Sequence, residues 1–260
     1  MKKTGLITSS RFTVAGVPLF KDVPALLVPG ALDYYGIYED FVRTGIVTET
    51  GGLFAPPGWS VRATGAASLC TVANVVGGCL TLTTGAADND TIQITLGNAV
   101  IPSGGAFWVA DGNDIWFETR LQHTLVGEIN IGIGLMDPAA TDYLADGGAA
   151  LPQPDFIMFN TLDGDANWML SGNKAAVGVD ENNSGIARVA NTDITLGFHV
   201  SGNTPNYICD GYVNRALVGA LQLPFASIPL TGLMPFIAIK TGHAGAESLT
   251  VDYIMCVQAR

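Results

Sequence analysis

The sequence predicts an all-β protein: two antiparallel sheets packed as a sandwich, preceded by an extended N-terminal arm. Three observations predict it. Short runs of β-branched and aromatic residues, many alternating apolar with polar, recur from about residue 36 to the end. Clusters of Gly, Asp and Asn separate them, and no apolar i, i+3, i+4, i+7 pattern is sustained. The alternation is clearest at 80–83, 92–95, 115–118 with Arg120, and 129–133. Further strands are expected at 156–160, 167–170, 194–200, 207–209, 236–239 and 249–257. About a dozen strands at this spacing define a sandwich. Residues 137–148 have room for one short helical turn, and no solenoid or propeller period is present.

Residues 1–35 read as the arm, and residues 36–260 as the sandwich domain. Pro18, Pro24 and Pro29 punctuate an apolar stretch with neither helical nor alternating period, which favours extended backbone. Such a stretch has no obvious face to bury on its own domain. Phe12, Val14, Leu19, Phe20, Leu26, Leu27 and Val28 are therefore the expected contacts to a partner.

Composition narrows the function classes. Of 260 residues 13% are charged, about half the usual share, yet the mean hydropathy is +0.34. The chain is too apolar for disorder, and its net charge of −11 argues against nucleic acid as a partner. No uninterrupted apolar run is long enough for a membrane span, and the N-terminus lacks the apolar core of a signal peptide. Residues 1–40 are balanced in charge, whereas residues 88–165 hold twelve acids against Arg120 alone, which equals the whole net charge. Cys70, Cys79, Cys209 and Cys256 form no metal-type spacing. Cys70 and Cys79 flank a Gly-containing turn, where a disulfide across a hairpin is conceivable and buried free thiols are the simpler reading.

Several blocks, in order, resemble jelly-roll virion proteins of tailed phages, of the concanavalin A/laminin-G-like kind. They are Glu39-Asp40-Phe41, Gly58-Trp59-Ser60, the run from Gly78 through Leu80-Thr81-Leu82-Thr83-Thr84-Gly85 to Ala87, and Asp114-Ile115-Trp116-Phe117-Glu118-Thr119-Arg120. Ile133-Gly134-Leu135, Asp163-Gly164-Asp165-Ala166-Asn167-Trp168, Asp210-Gly211 and Val251-Asp252-Tyr253-Ile254 complete the series. The resemblance spans about residues 38–257. It implies a jelly-roll sandwich and a structural place on a capsid or tail rather than a chemistry.

The chemistry-bearing residues were tested against what each reaction requires. No Gly-x-Ser-x-Gly is present, and His123, His199 and His243 are far apart in sequence. Glycoside hydrolysis needs two flanking carboxylates. Glu118 and Glu128 are the candidates, opposed across a hairpin, but Glu118 and Arg120 share a strand face, where an ion pair is the plainer explanation. Calcium would suit Asp88 and Asp90, Asp111 and Asp114, or the Asp163–Asp165 turn, all of which are also ordinary turn formers. Sugar stacking would use Trp168 flanked by Asp163, Asp165 and Asn167, with Trp59, Trp108 and Trp116 assigned to the core.

The function expected from these readings is that of a non-enzymatic virion protein on the capsid surface, a decoration or cement subunit. It would contact the major capsid protein and copies of itself as a dimer or trimer. The alternative is a carbohydrate-binding module of a tail or fibre protein that serves host attachment. No cofactor is expected beyond a possible calcium.

Overall fold

The structure is a computed structural model. It describes residues 13–14, 17–18, 34–41, 47–48, 54–55, 58–65, 67–73, 78–97, 106–109, 113–124, 128–137, 144, 155–174 and 178–259. Two large antiparallel sheets account for most of these residues. The first runs in the order β18 (Ala216–Pro224), β17 (Ile208–Val213), β16 (Ile194–Ser201), β11 (Ile115–His123), β20 (Ser248–Ala259), β8 (Cys79–Thr83) and β7 (Leu69–Ala73). β3 (Tyr34–Glu39) also pairs with β20. The second runs β15 (Gly178–Ala187), β14 (Asn167–Lys174), β13 (Phe156–Thr161), β12 (Ile129–Met136), β19 (Gly232–Thr241), β9 (Thr91–Leu96) and β6 (Trp59–Ala63). β10 (Phe107–Trp108) adds to β19. Two ribbons stand apart: β1 (Thr13–Val14) with β2 (Val17–Pro18), and β4 (Val47–Thr48) with β5 (Phe54–Ala55). The helical structure among the described residues is one 3-10 turn, Phe225–Ser227.

Sequence-distant strands lie side by side, β11 with β20 and β12 with β19, so the chain's two halves interleave in jelly-roll fashion. The period of two explains why the sheets stack. Ile129, Ile131, Ile133 and Leu135 of β12 point inward with Ile237 and Ile239 of β19, Ile92 and Ile94 of β9, and Phe159 of β13. Opposite them lie Ile115, Phe117 and Leu121 of β11, Leu196 and Phe198 of β16, and Ile254 and Cys256 of β20. Phe117 and Phe198, partners in register, stack at 5.0 Å. Each such side chain taken fully from water contributes about 1.5–3 kcal/mol, and the core runs through both sheets without a break in composition.

The predicted fold class is therefore the observed one. The arm residues Phe12, Leu19, Phe20, Leu26, Leu27 and Val28 lie outside the described residues, as does most of 137–148. Val14 sits in the β1–β2 ribbon, paired with Val17. The hairpin at Cys70 and Cys79 is real, but its register sets Cys79 opposite Ala73 and Cys70 opposite Leu82. The two thiols are thus offset along the strands, and all four cysteines are free.

Burial pushes the Cys70 thiol up to about 12 and holds Cys209 and Cys256 well above their usual range. Cys79 is half-buried and is raised by burial and by Asp252. A thiol reagent at pH 8 is expected to label at most one cysteine in the native protein, slowly, and all four after unfolding. Rapid native labelling of two or more would contradict this packing.

Candidate functional site

Fixing the inner faces also fixes the outer ones. On the β12 sheet the outward positions are Asn130, Gly132, Gly134 and Met136 of β12, and Met234, Phe236, Ala238 and Lys240 of β19. Gln93 of β9, Asn160 of β13, and Ser171 and Asn173 of β14 continue the same face, with Arg62 and Glu181 toward its edges. An outer sheet face that meets solvent usually carries exposed charged side chains. Here Gln93, Asn130, Asn160, Ser171, Asn173 and Lys240 are all buried.

Leu144 covers part of this face. Leu144, from the connection between β12 and β13, lies over Gly132, where an added Cβ would meet its Cδ2 at 3.1 Å and Met158 Sδ at 3.3 Å. Leu144 joins Met136, Phe156, Met158, Phe236 and Ala238 in a second apolar cluster on this face. Beside that cluster the polar groups form a network. The Ser171 hydroxyl donates to Asn160 Oδ1 and, at 3.2 Å, to Glu181 Oε1; Asn160 Nδ2 donates to the same carboxylate at 3.0 Å. Lys240 Nζ donates to the Leu144 carbonyl at 3.3 Å. Asn130 Oδ1 accepts the Asp163 N–H at 2.7 Å. Gln93 Oε1 and Asn130 Nδ2, both buried on this face, have no hydrogen-bond partner among the described residues. Half-buried Ser60 and Arg62 flank this floor on one side, and exposed Glu181 and Asn183 on the other.

The residues singled out from the sequence fall elsewhere, and several are corrected. Trp168 is 0% exposed. It shares the inward face of β14 with Leu170 and meets His123 edge-on at 5.8 Å, so it has no face to offer a sugar. Asn167 is half-buried at the start of β14. Asp163 and Asp165 bracket a turn at Gly164, with Asp165 Oδ2 accepting the Leu162 N–H at 2.7 Å. Arg188 clamps this turn by donating to the Asp165 and Ile129 carbonyls and to Thr161 Oγ1; burial lowers its guanidinium, against the pull of Asp165 and Asp163. Trp108, expected in the core, is 48% exposed, because its chain neighbour Phe107 takes the inward position of β10. Its backbone is pinned on both sides by the buried Gln258 amide.

The calcium candidates do not converge. Asp90 accepts the Ala87 N–H and fills the space above Gly65 and Gly85, while Asp88 is exposed. Asp90 bonds Thr241 at the end of β19, whereas Asp114 sits beside Ala259 at the far end of β20. The length of the twelve-residue β20, about 35 Å, separates those two ends. Asp114 lies 3.3 Å from His199 Nε2, and Asp111 is outside the described residues. Among the described residues no group of three or more His, Cys, Asp or Glu is placed to hold a metal ion.

Glu118 and Glu128 do not oppose across a hairpin, because β11 and β12 belong to different sheets. Glu128 is an exposed residue 3.6 Å from His243 Nδ1. Glu118 is fully buried on the outer face of β11, and its partner is Arg215 rather than Arg120. The Asn214–Arg215 turn has two residues at positive φ, 49° and 63°, the geometry of a tight hairpin. From it Arg215 reaches past Gly197, the register partner of Glu118, and contacts both carboxylate oxygens. The Tyr253 hydroxyl donates to Glu118 Oε1 and accepts from Arg215 Nη2 at 3.0 Å. Burial would lower the Arg215 guanidinium, but the hydrogen bond and charge of Glu118 hold it above its usual range. Burial and Glu118 likewise raise the Tyr253 phenol, and Tyr38, stacked on it, is pushed up to about 12 by burial and Asp40. Arg120 pairs instead with Asp252, the extra residue of a bulge opposite Arg120 and Leu121.

Three solved structures share this architecture. The carbohydrate recognition domain of Emp47p superposes with a TM-score of 0.55 at 13% identity, over 85% of this chain and 94% of its own. The endo-1,3-β-glucanase of Streptomyces sioyaensis gives 0.56 at 9%, over 86% and 96%. Peanut lectin gives 0.55 at 8%, over 86% and 97%. No family model matches the chain, and no curated protein matches it in sequence. The fold is thus the concanavalin A/legume-lectin-like jelly roll. That class contains both lectins and enzymes.

Arg215→Met is expected to destabilise the protein by about 3–5 kcal/mol, because it strands a buried carboxylate. The urea unfolding midpoint reads this directly. Arg215→Met combined with Glu118→Met should recover most of the loss, since apolar replacement of both partners removes the stranded charge.

Proposed function

We propose that this chain is a glycan-binding jelly-roll module whose ligand lies on the outer face of the β12 sheet. One observation carries the reading: a floor of buried amides and hydroxyls on an outer sheet face, where Gln93 Oε1 and Asn130 Nδ2 lack a partner among the described residues. Sugars present many hydroxyls, each both donor and acceptor, and Asn, Gln and Ser side chains match that chemistry without net charge. Met158 and Phe236, buried with Leu144, border the same floor and brace it from the side. The fold shared with a carbohydrate recognition domain and a lectin supports the reading without assigning a ligand.

Binding without hydrolysis is the form proposed. A glycosidase needs two carboxylates across the scissile bond, and Glu181 is the one carboxylate among the described outward positions of this face. Glu118 is locked by Arg215 and Tyr253 on the opposite side of the sandwich. The capsid-decoration reading rests on the arm, whose contact residues apart from Val14 lie outside the described ones. The sandwich itself supplies a feature that favours a small polar ligand.

A glycan array probed with the full chain tests this, followed by calorimetry on the best binder. Gln93→Met removes the unpartnered Oε1 with little change of volume. It should weaken glycan binding by about tenfold while leaving the melting temperature unchanged or slightly raised. A blank array, or binding untouched by Gln93→Met, would sink the proposal.

A further inference from the structure

Lys240 is a basic side chain whose surroundings the sandwich leaves unexplained. It projects from the outer face of β19 and is 6% exposed. Its ammonium has three donors, and one is used, on the Leu144 carbonyl. Among the described residues no carboxylate lies within ion-pair distance of it. Several other described cations have partners: Arg120 has Asp252, Arg215 has Glu118, Arg188 donates to three oxygens of residues 129, 161 and 165, and Lys174 lies 4.7 Å from the Phe225 ring. A charge withdrawn from water without a counter-charge is unfavourable, so Lys240 calls for an anion that the described residues do not provide.

Its neighbours are donors too. Asn130 stands directly opposite Lys240 in the strand register, which puts their Cβ atoms about 5 Å apart on one face. Asn130 is fully buried; its Oδ1 accepts the Asp163 N–H, and its Nδ2 has no partner among the described residues. Diagonally across the pair, Gln93 supplies the acceptor Oε1, opposite Ala238. The nearest turns bring Asp90 and Asp163, but the first carboxylate accepts from Ala87 and packs on glycines, and the second packs on Gly242.

Resting on the glycan-binding reading above, we propose that this corner of the face takes the carboxylate of an acidic sugar, a uronate or similar carboxylated pyranose. Lys240 Nζ and Asn130 Nδ2 donate to the two carboxylate oxygens, and Gln93 Oε1 accepts from a ring hydroxyl. The net charge of −11 repels anions at long range, so the recognition is local. A carboxylate gains when it reaches Lys240 and supplies the missing counter-charge. A neutral sugar leaves the ammonium as it was.

The test uses a panel of uronate-rich oligosaccharides, each alongside its carboxyl-reduced, neutral counterpart, titrated calorimetrically against the full chain at two salt concentrations. The acidic member should bind about tenfold tighter, with the gap narrowing as salt rises. Lys240→Met should abolish the gap. Asn130→Asp guards against a folding defect: it keeps an oxygen for the Asp163 N–H and sets a carboxylate against Lys240. It should preserve the near-ultraviolet dichroism of the native protein and also lose the gap. Equal affinity for both members in the native chain, or a gap that survives in Asn130→Asp, overturns the acidic-sugar proposal and leaves glycan binding standing. Binding of neither member anywhere on the panel removes the glycan reading as well.

Discussion

The burial of two apolar inner faces against each other is the constraint from which the other features follow. Side chains along a strand alternate between faces, so seating Ile129, Ile131 and Ile133 inward leaves no freedom for Asn130 and Gly132. Slipping β12 by one residue would bury Asn130 among isoleucines and expose the core. Register is thus enforced by hydrophobic burial, and the outer faces inherit their order from it. The amide floor of one sheet and the Arg215–Glu118–Tyr253 cluster of the other are both consequences of inward choices made strand by strand.

That dependence explains what was legible in the sequence. Strands with clean alternation, such as β8, β9, β11 and β12, were visible because their inner residues are β-branched or aromatic. β15 was not, because Asp180, Glu181, Asn182 and Asn183 belong to an edge strand whose polar run resembles a loop. Pairing was less legible still. β11 and β12 are adjacent in sequence and lie in different sheets, a consequence of topology that no local pattern around Glu118 and Glu128 could announce.

Trp168 carries two opposed sequence signals. Its acidic neighbours suggest a sugar platform, whereas Leu170, two positions on, shares its strand face and draws it into the core. The same parity argument applied to Asn130, Gln93 and Asn160, each flanked by inward isoleucines or phenylalanine, would have exposed the amide floor. What parity could not supply is the cover. Leu144 seats over Gly132 because that glycine leaves room, and its arrival is a long-range event.

The low charge of the chain takes on a different meaning in this light. Part of it is the large core. Another part is a sheet face built from amides, hydroxyls and glycines where charged residues would be usual. Such a face is unfavourable for stability alone: each buried polar atom left without a partner costs about 1–3 kcal/mol, and a Leu or Met would fit the same space. On the proposed reading, Gln93 Oε1 and Asn130 Nδ2 stand at positions where folding and ligand recognition pull in opposite directions. Lys240 would sharpen the conflict, since a buried ammonium is the least favourable of these groups by itself and the most favourable beside an anion. The proposed ligand would answer all three neighbouring groups at once.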